Sequence, residues 1–260
     1  MKIAVCLAGQ YRTFDNPIVQ RTLNHFLLEK YDCDVFVSTW DDTGRSVNNT
    51  QDTSSSNRKV QQSHILQYIP KAVVEVENYK EWYNSLSQQL RAYIDATTLH
   101  SGCVPQLYKK YKAVALIPKE AQYDVVIVTR PDLFYLEEIP LSSITETTGT
   151  IWNSNPVGTW AYYPNRIFDI MYMGVRESVD ALSQCYFSID KLLDDPHQTG
   201  LHSLDCCKML YTFAKDFCNL QVQSTATLIG NVYRDDSSVQ YNCLNCGIDL
   251  EDYIRKIENK

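Results

Sequence analysis

The sequence has no apolar run approaching the roughly 20 residues that a membrane-spanning helix requires. Its first residues, MKIAVCLAGQYR, also lack the longer apolar core and the small-residue cleavage site of a secretory signal peptide. These two absences predict a protein without a membrane span that resides in the cytoplasm.

Clustered positive charge is also missing. Lys and Arg total 24 against 31 Asp and Glu, which gives a formal net charge of −7, and the one short basic segment, YKKYK (108–112), fits a helix. Proteins that follow a nucleic acid need clustered cations to neutralise its phosphates. We therefore expect no nucleic-acid partner, although a single nucleotide would need only a few local donors.

Cysteine is plentiful, but the pattern of a disulfide framework is absent. The nine cysteines are odd in number, and Cys206 and Cys207 are adjacent. Others lie in apolar runs, so we expect reduced and mostly buried thiols. Cys243 and Cys246 have a metal-like spacing, but no second pair and no nearby histidine accompanies them, which disfavours a zinc site.

Several catalytic signatures do not occur. The sequence contains no GxGxxG, no phosphate-binding P-loop and no GxSxG, and its five histidines do not show zinc-hydrolase spacing. Dehydrogenases, kinases and hydrolases are therefore disfavoured. The absence of a glycine-rich first loop also weighs against a methyltransferase or a sulfotransferase.

What the sequence does contain is an alternation of apolar strands and amphipathic helices. KIAVCLA reads as a strand that ends at Gly9, Asn16-Pro17 has the residue types of a helix start, and DVFVSTW (34–40) reads as a second strand. A strand, a helix and a strand within forty residues predict the beginning of a parallel α/β sheet.

The same reasoning extends along the chain. Four consecutive aliphatic residues in YDVVIVTR predict a central strand buried on both faces. Further strands are predicted at 72–77, 150–154 and 168–174, and helices at 79–93, 104–117, 176–193 and 203–216. The predicted helix 104–117 carries Leu107, Tyr108, Tyr111, Val114 and Ala115 on one side. The polar segment 41–63 has no apolar periodicity and is typical of either a lid or a disordered loop.

Polar residues follow three of the predicted strands. They are Gly9, Gln10 and Arg12 after the first, Asp41 and Asp42 after the second, and Arg130 and Asp132 after the central strand. Ligands of open α/β sheets bind beyond the carboxyl ends of the strands. If these strands are neighbours, their polar residues meet at one edge and form a candidate binding site.

Asp132 is the most informative of these residues. A carboxylate there could hold a divalent cation that neutralises a diphosphate leaving group, and Arg130 could either bind phosphate or orient Asp132. An Arg–Asp surface turn explains the same residues equally well. Arg12 likewise fits either a phosphate contact or a solvated loop residue, and Asp41 fits either a donor contact or an acidic turn.

His202 and Asp205 lie at the start of the predicted helix 203–216. An aspartate near a helix N-terminus is favoured by the helix dipole alone, by about 0.3–1 kcal/mol. His202 is compatible with a metal ligand or an acceptor contact, whereas most isolated histidines are neither. Sequence position by itself leaves both readings open.

A resemblance to a known family adds to these patterns. The ordered segments IAVCLAGQYRTF, DVFVSTWDD, QLYKKYKA, YDVVIVTRPDLFY and RIFDIMYMG resemble small GT-A-like glycosyltransferases of large algal (chlorella) viruses and bacterial surface-polysaccharide loci. The resemblance runs from residue 3 to about residue 234. It implies one domain with a GT-A-like Rossmann-type α/β sheet, mostly parallel and flanked by helices. Its parts would be nucleotide-binding (about 1–135), acceptor-side (about 136–240) and a C-terminal tail (241–260).

The resemblance implies transfer of a sugar from a nucleoside-diphosphate donor to a glycan acceptor. A UDP-linked donor, with a pentose such as xylose, is expected, and a viral protein of this family would act in the host cytoplasm. The alternative is a non-catalytic nucleotide- or glycan-binding protein that retains the fold.

The resemblance also assigns roles to residues. Gly9, Gln10 and Arg12 would face the nucleotide, and the segment around Asp169 and Gly174 would line the acceptor side. Asp205 or Asp169 would be the base of an inverting reaction. Mn²⁺ or Mg²⁺ would be bound by Asp132 and His202. Because Arg130 replaces the first acid of the family's DxD motif, the requirement for a metal stays open.

Overall fold

The computed structural model describes residues 1–42, 58–96, 102–139, 141–144, 147–154, 165–194, 206–225, 230–232 and 236–258. These ranges contain the strands β1 (Lys2–Gly9), β2 (Asp32–Trp40), β3 (Val73–Glu77), β4 (Val125–Thr129), β5 (Leu133–Tyr135), β6 (Thr150–Asn153), β7 (Met171–Gly174), β8 (Gln221–Ser224) and β9 (Gly230–Val232). Most of the polar segment predicted as a lid or a disordered loop, residues 43–57, lies outside the described ranges.

Seven of these strands form one sheet in the order β3-β2-β1-β4-β7-β6-β8. β1 pairs in parallel with β2 and β4, and β2 pairs in parallel with β3. β7 is antiparallel to both β4 and β6, whereas β8 is parallel to β6. The remaining strands, β5 and β9, form a separate antiparallel pair. The predicted α/β architecture with a mostly parallel sheet is confirmed.

Helices cover both faces of the sheet. They are α1 (Pro17–Leu23), α2 (Gln62–Leu66), α3 (Tyr79–Ser85), α4 (Gln88–Ala96), α5 (Cys103–Ala115), α6 (Arg176–Ser183), α7 (Ile189–Asp194), α8 (Cys206–Thr212), α9 (Asp236–Asn245) and α10 (Leu250–Glu258). The prediction of one continuous helix over 79–93 is wrong, because Leu86 adopts an extended conformation between α3 and α4. The predicted helix 176–193 is likewise divided by a 3₁₀ segment, Gln184–Ser188.

β1 and β4 lie at the centre of the sheet and are buried on both faces. Along β1, Ile3, Val5 and Leu7 belong to one apolar cluster, and Ala4 and Cys6 belong to the cluster on the opposite face. All five residues of β4 are buried. The prediction of a central strand buried on both faces is therefore confirmed for β4. A strand covered on both faces does not need to alternate apolar and polar residues.

The first helix begins where the sequence predicts. The Asn16 side chain accepts a hydrogen bond from the backbone N–H of Ile18 at 2.9 Å, and Pro17 occupies the first helical position. Both features suit a helix N-terminus, where the first backbone N–H groups have no partner within the helix. A π-helical segment, Asn24–Leu28, continues α1 and buries Phe26 and Leu27.

The buried face of α5 matches only part of the side that the sequence indicated. Leu107 and Val114 are buried as expected, but Ala115 is exposed, Tyr108 and Tyr111 are only partly buried, and the buried positions include Lys109 and Lys110. Neither lysine was among the residues predicted for this side of the helix. Among the described residues, no helix is long and apolar enough to cross a membrane.

Gly174, predicted to line the acceptor side, instead packs inside the sheet. It pairs with Val126 at one end of the antiparallel β4–β7 ladder, opposite the end formed by Thr129 and Met171. A Cβ at this position would lie 2.9 Å from the backbone oxygen of Thr150 on β6. The glycine therefore permits close packing of two strands and has no place at the candidate site.

We expect Gly174→Ala to lower the free energy of unfolding by about 1–3 kcal/mol, because backbone must shift to accommodate the new methyl group. Urea denaturation measures this loss. Gly102→Ala is the matched control, since a Cβ there meets nothing within 4 Å. Equal stability of the two variants would contradict the packing explanation.

Candidate functional site

The strand order reverses direction between β1 and β4. From β1 the chain proceeds to β2 and β3 on one side, and it then returns to place β4 on the other side of β1. In open α/β sheets, the crevice beyond the carboxyl ends of two such strands is the usual ligand site. The turn Gly9–Arg12 follows β1 and the turn Arg130–Asp132 follows β4, so two of the three predicted polar sets meet there.

The turn after β1 has an unusual backbone. Gly9 has a φ of +126°, which L-residues rarely adopt, and a Cβ on it would lie 4.0 Å from Cδ of Pro131 in the neighbouring turn. Arg12 also has a positive φ, +38°. Tyr11 anchors this turn, since it is buried and packs edge-on against Phe14 at 5.2 Å between ring centroids. Backbone strain of this kind is found preferentially at functional sites.

The turn after β4 carries a two-pronged ion pair. Arg130 donates from Nε to Asp132 Oδ1 and from Nη2 to Asp132 Oδ2, both at 2.8 Å. Arg12 reaches the same carboxylate from the other turn, with 3.4 Å between Nη1 and Oδ2, and its Nε donates to Gln10 Oε1 at 2.7 Å. Two guanidinium groups thus face one carboxylate at the reversal point of the sheet.

Asp132 is held rigidly in this position. Its side chain is only 1% exposed, and the chain enters β5 at the next residue, where Leu133 and Phe134 are fully buried. Burial acts to lower the pKa of the Arg130 guanidinium, but the facing Asp132 carboxylate outweighs this effect and raises the pKa above its ordinary value. The interpretation of these residues as an exposed surface turn is wrong.

Asp169 lies at the same edge because β7 is antiparallel. Met171 at the start of β7 pairs with Thr129 at the end of β4, so the residues that precede β7 lie beside the Arg130 turn. The Asp169 carboxylate is one of the charges that raise the pKa of Arg130. Its backbone oxygen accepts from Gln106 Nε2 at 3.0 Å, and its Oδ1 lies 3.8 Å from Cys207 Sγ.

Asp41 has local partners of its own. Its carboxylate accepts from Lys59 Nζ at 2.7 Å, from Asn78 Nδ2 at 2.8 Å and from the backbone N–H of Tyr79 at 3.3 Å. These contacts tie the end of β2 to the beginning of α3. Asp41 therefore has a structural role at this strand end, whereas Arg12 and Arg130 both contact Asp132.

His202 and Asp205 lie outside the described residues, immediately before α8. Among the residues that are described, no three histidine, cysteine, aspartate or glutamate side chains are grouped as they would be around a metal ion. The Asp132 oxygens accept hydrogen bonds from guanidinium groups. A bound Mn²⁺ or Mg²⁺ would need oxygen ligands around it, and these positive groups would repel it. The described part of the site thus does not fit a Mn²⁺ or Mg²⁺ ion.

Sequence reasoning missed three residues that shape this edge. Asn153 at the end of β6 accepts the backbone N–H of Phe168 through Oδ1 at 3.0 Å, and Gln106 and Cys207 contact Asp169. They come from three distant elements, so no local sequence pattern links them. Lys110 of α5 also lies near this edge, and the sequence contains a signal for its burial: it interrupts the apolar stripe of the helix between Leu107 and Val114.

A cavity of about 320 Å³ lies away from this edge. It is bordered by Cys33, Asp34 and Val35 near the beginning of β2 and by residues 68–71. Because β2 runs from this cavity toward Asp41, the cavity is at the amino-terminal edge of the parallel strands. Ligand sites in open α/β sheets lie at the other edge.

Comparison of the chain with protein-family models and with curated proteins finds no match. The geometry of the strand ends is therefore the basis of any functional interpretation.

We predict that Asp132→Ala loses about 3–5 kcal/mol of folding free energy, because removal of the carboxylate leaves a buried guanidinium without its counter-charge. Urea unfolding measures the loss. Asp34→Ala is the control: its ion-pair partner Lys2 is 48% exposed, and the hydrogen bond that it accepts from the Tyr123 hydroxyl is also at the surface, so its loss should stay within about 1 kcal/mol. Similar losses in the two variants would show that the Arg130–Asp132 pair is not buried as described.

A pH prediction follows from Asp41. Burial acts to raise the pKa of Asp41, but Lys59, the Tyr79 N–H and Asn78 together lower it below 3.8. A carboxylate with a lowered pKa stabilises the folded state at pH values above its unfolded pKa and loses that contribution as the pH falls. Asp41→Asn should therefore be less stable than the wild type by about 1 kcal/mol at about pH 7.

Urea unfolding down to about pH 3 should show this difference between the Asp41→Asn variant and the wild type shrinking as the wild-type carboxylate becomes protonated. Asp32→Asn, at an exposed position at the start of β2, is the matched control and should show no comparable change. A difference that stays constant with pH would contradict the structural role of the Asp41 charge.

Proposed function

We propose that this chain is a GT-A-like glycosyltransferase that transfers a sugar from a UDP-linked donor to a glycan acceptor. The observation that carries the proposal is the meeting of Arg12, Arg130 and Asp132 at the reversal point between β1 and β4. A nucleotide-sugar transferase must bind and neutralise a diphosphate, and guanidinium groups are suited to phosphate oxygens.

The architecture supports a Rossmann-type nucleotide site. The parallel strands β3, β2, β1 and β4, with α1 packed on one face and α5 on the other, form the kind of sheet that binds nucleotides beyond its carboxyl edge. β7, β6 and β8 then extend the sheet with residues from the second half of the chain. In the proposal, the first half binds the donor and the turn before β7 borders the acceptor.

The cations of the site supply the charge neutralisation in this proposal. Departure of the nucleoside diphosphate leaves negative charge on the oxygen that was bonded to the sugar, and fixed positive groups stabilise that charge. Arg12 is 18% exposed and Arg130 15% exposed, so both border solvent at the crevice. Asp132 holds the two guanidinium groups at the reversal point in the absence of ligand.

Asp169 is the base in this proposal if the reaction inverts the anomeric centre. Its carboxylate would accept the proton of the acceptor hydroxyl while that oxygen forms a bond to the anomeric carbon. The bond between the anomeric carbon and the diphosphate oxygen breaks, and UDP leaves with the bonding electrons. Asp169 is partly exposed and is held by Gln106 and Cys207, as a base that meets a second substrate should be.

The second candidate is a non-catalytic protein that binds a nucleotide or a glycan. It is favoured by the two-pronged Arg130–Asp132 pair, in which the acidic group that the family uses at this place is engaged by an arginine. Both candidates predict nucleotide binding, but only the first predicts turnover of a sugar nucleotide.

We expect UDP to raise the melting temperature of the protein without added Mn²⁺, and more than uridine does, because the arginines bind the diphosphate. Differential scanning fluorimetry with UDP, GDP, S-adenosylmethionine and phosphoadenosine phosphosulfate tests the ligand class. Stabilisation by S-adenosylmethionine or phosphoadenosine phosphosulfate, and by neither nucleoside diphosphate, would overturn the proposal. Binding of UDP without transfer or hydrolysis of any UDP-sugar would favour the second candidate.

Asp169→Asn should lower the transfer rate by about 10²–10⁴-fold, as expected when a general base is removed, with little change in the affinity for UDP. Product formation from radiolabelled UDP-sugars and isothermal titration with UDP measure the two effects. Asp216→Asn, at an exposed position, is the control. A fully active Asp169→Asn variant would remove Asp169 from the mechanism.

A further inference from the structure

Lys110 occupies a position that the fold of α5 reserves for an apolar side chain. Cys103, Leu107 and Val114 form the inward stripe of this helix, and Lys110 falls between the last two at the same helical spacing. Its residue surface is only 1% exposed. Lysine is almost never buried to this degree without a partner.

The ammonium group of Lys110 is unpaired in the part of the chain that the structure describes. Its Nζ has no hydrogen-bond partner there and lies 4.6 Å from the centroid of the Tyr172 ring. The preceding lysine is different: Nζ of Lys109 is 2.5 Å from Glu77 Oε2 and 4.0 Å from the Trp40 ring. Among the described residues, Lys109 is therefore paired with a carboxylate, whereas Lys110 faces an aromatic ring.

Lys110 lies near the charged edge of the sheet. Gln106, one helical turn earlier, bonds the Asp169 backbone, and side chains on a helix lean toward its N-terminus. Burial is the main cause that lowers the pKa of Lys110; Asp169 opposes this effect and Arg130 adds to it. The four-carbon stem of lysine allows its ammonium to turn from the Tyr172 ring toward these groups.

We propose that Lys110 is a phosphate-binding residue, and that the missing counter-charge is the diphosphate of a nucleoside-diphosphate ligand. The inference rests on the proposed function and assigns it a third cation besides Arg12 and Arg130. In the ligand-free protein, the buried ammonium lowers stability because it has given up water without gaining an anion. Binding of a diphosphate supplies the anion and removes this cost. The affinity for the diphosphate is therefore higher than it would be for a site without the buried charge.

The test is Lys110→Met, which keeps the length of the side chain and removes its charge. We expect the ligand-free variant to melt higher than the wild type, by about 2–4 °C. We also expect its affinity for UDP and for inorganic pyrophosphate to fall at least about ten-fold, with that for uridine unchanged. Isothermal titration with the three probes and a melting curve without ligand provide these readouts, and Lys110→Arg should retain UDP binding.

Lys109→Met is the matched control for stability. It removes one of the partners of Glu77, which also binds Tyr108 and Lys112, and it should melt lower than the wild type, opposite in sign to Lys110→Met. A Lys110→Met variant that melts lower or fails to fold would show that the ammonium has a structural partner, and would overturn the inference.

The binding measurements distinguish an error in the role of Lys110 from an error in the proposed function. If the wild type binds UDP or pyrophosphate and Lys110→Met binds both equally well, the role of Lys110 is wrong while the proposed function stands. A wild type that binds neither probe overturns both.

Discussion

The buried pair of Arg130 and Asp132 is the interaction on which the organisation of this edge depends. Asp132 leaves a strand covered on both faces and enters β5 at once, so its carboxylate cannot move into solvent. Arg130 satisfies both of its oxygens and Arg12 reaches it from the neighbouring turn. The two turns at the reversal point of the sheet are therefore joined by charge, and both guanidinium groups are positioned before any ligand arrives.

The elements of the sheet were largely predictable from the sequence. The apolar run of β4 and the Asn16-Pro17 helix start are local signals, because each reflects the burial or the backbone needs of adjacent residues. The convergence of the β1 and β4 turns followed from the carboxyl-end rule for parallel strands. The division of 79–93 into two helices was not predictable, since it depends on an extended residue, Leu86, with no distinctive local pattern.

The charges of the site were predictable as a set but not in their pairing. The pairing of Arg130 with Asp132 was one of two alternatives that the sequence left open, and the sequence could not show that Asp41 binds Lys59 and Asn78, because three-dimensional proximity decides between a ligand site and a structural contact. The buried face of α5 was predicted only in part, because it includes two lysines that the apolar spacing did not indicate. An apolar stripe interrupted by a lysine is thus a signal that deserves a functional hypothesis, since burying an ammonium is unfavourable without compensation.

The antiparallel direction of β7 has a consequence for how such a site can diversify. Because β7 starts where β4 ends, the short stretch 165–170 reaches the same edge of the sheet from a part of the chain that contributes nothing to the β1 and β4 turns. Insertions or exchanges in that stretch would alter one wall of the crevice and leave the strand register of the parallel half intact. A single scaffold could in this way keep the turns after β1 and β4 unchanged while the opposite wall of the crevice varies.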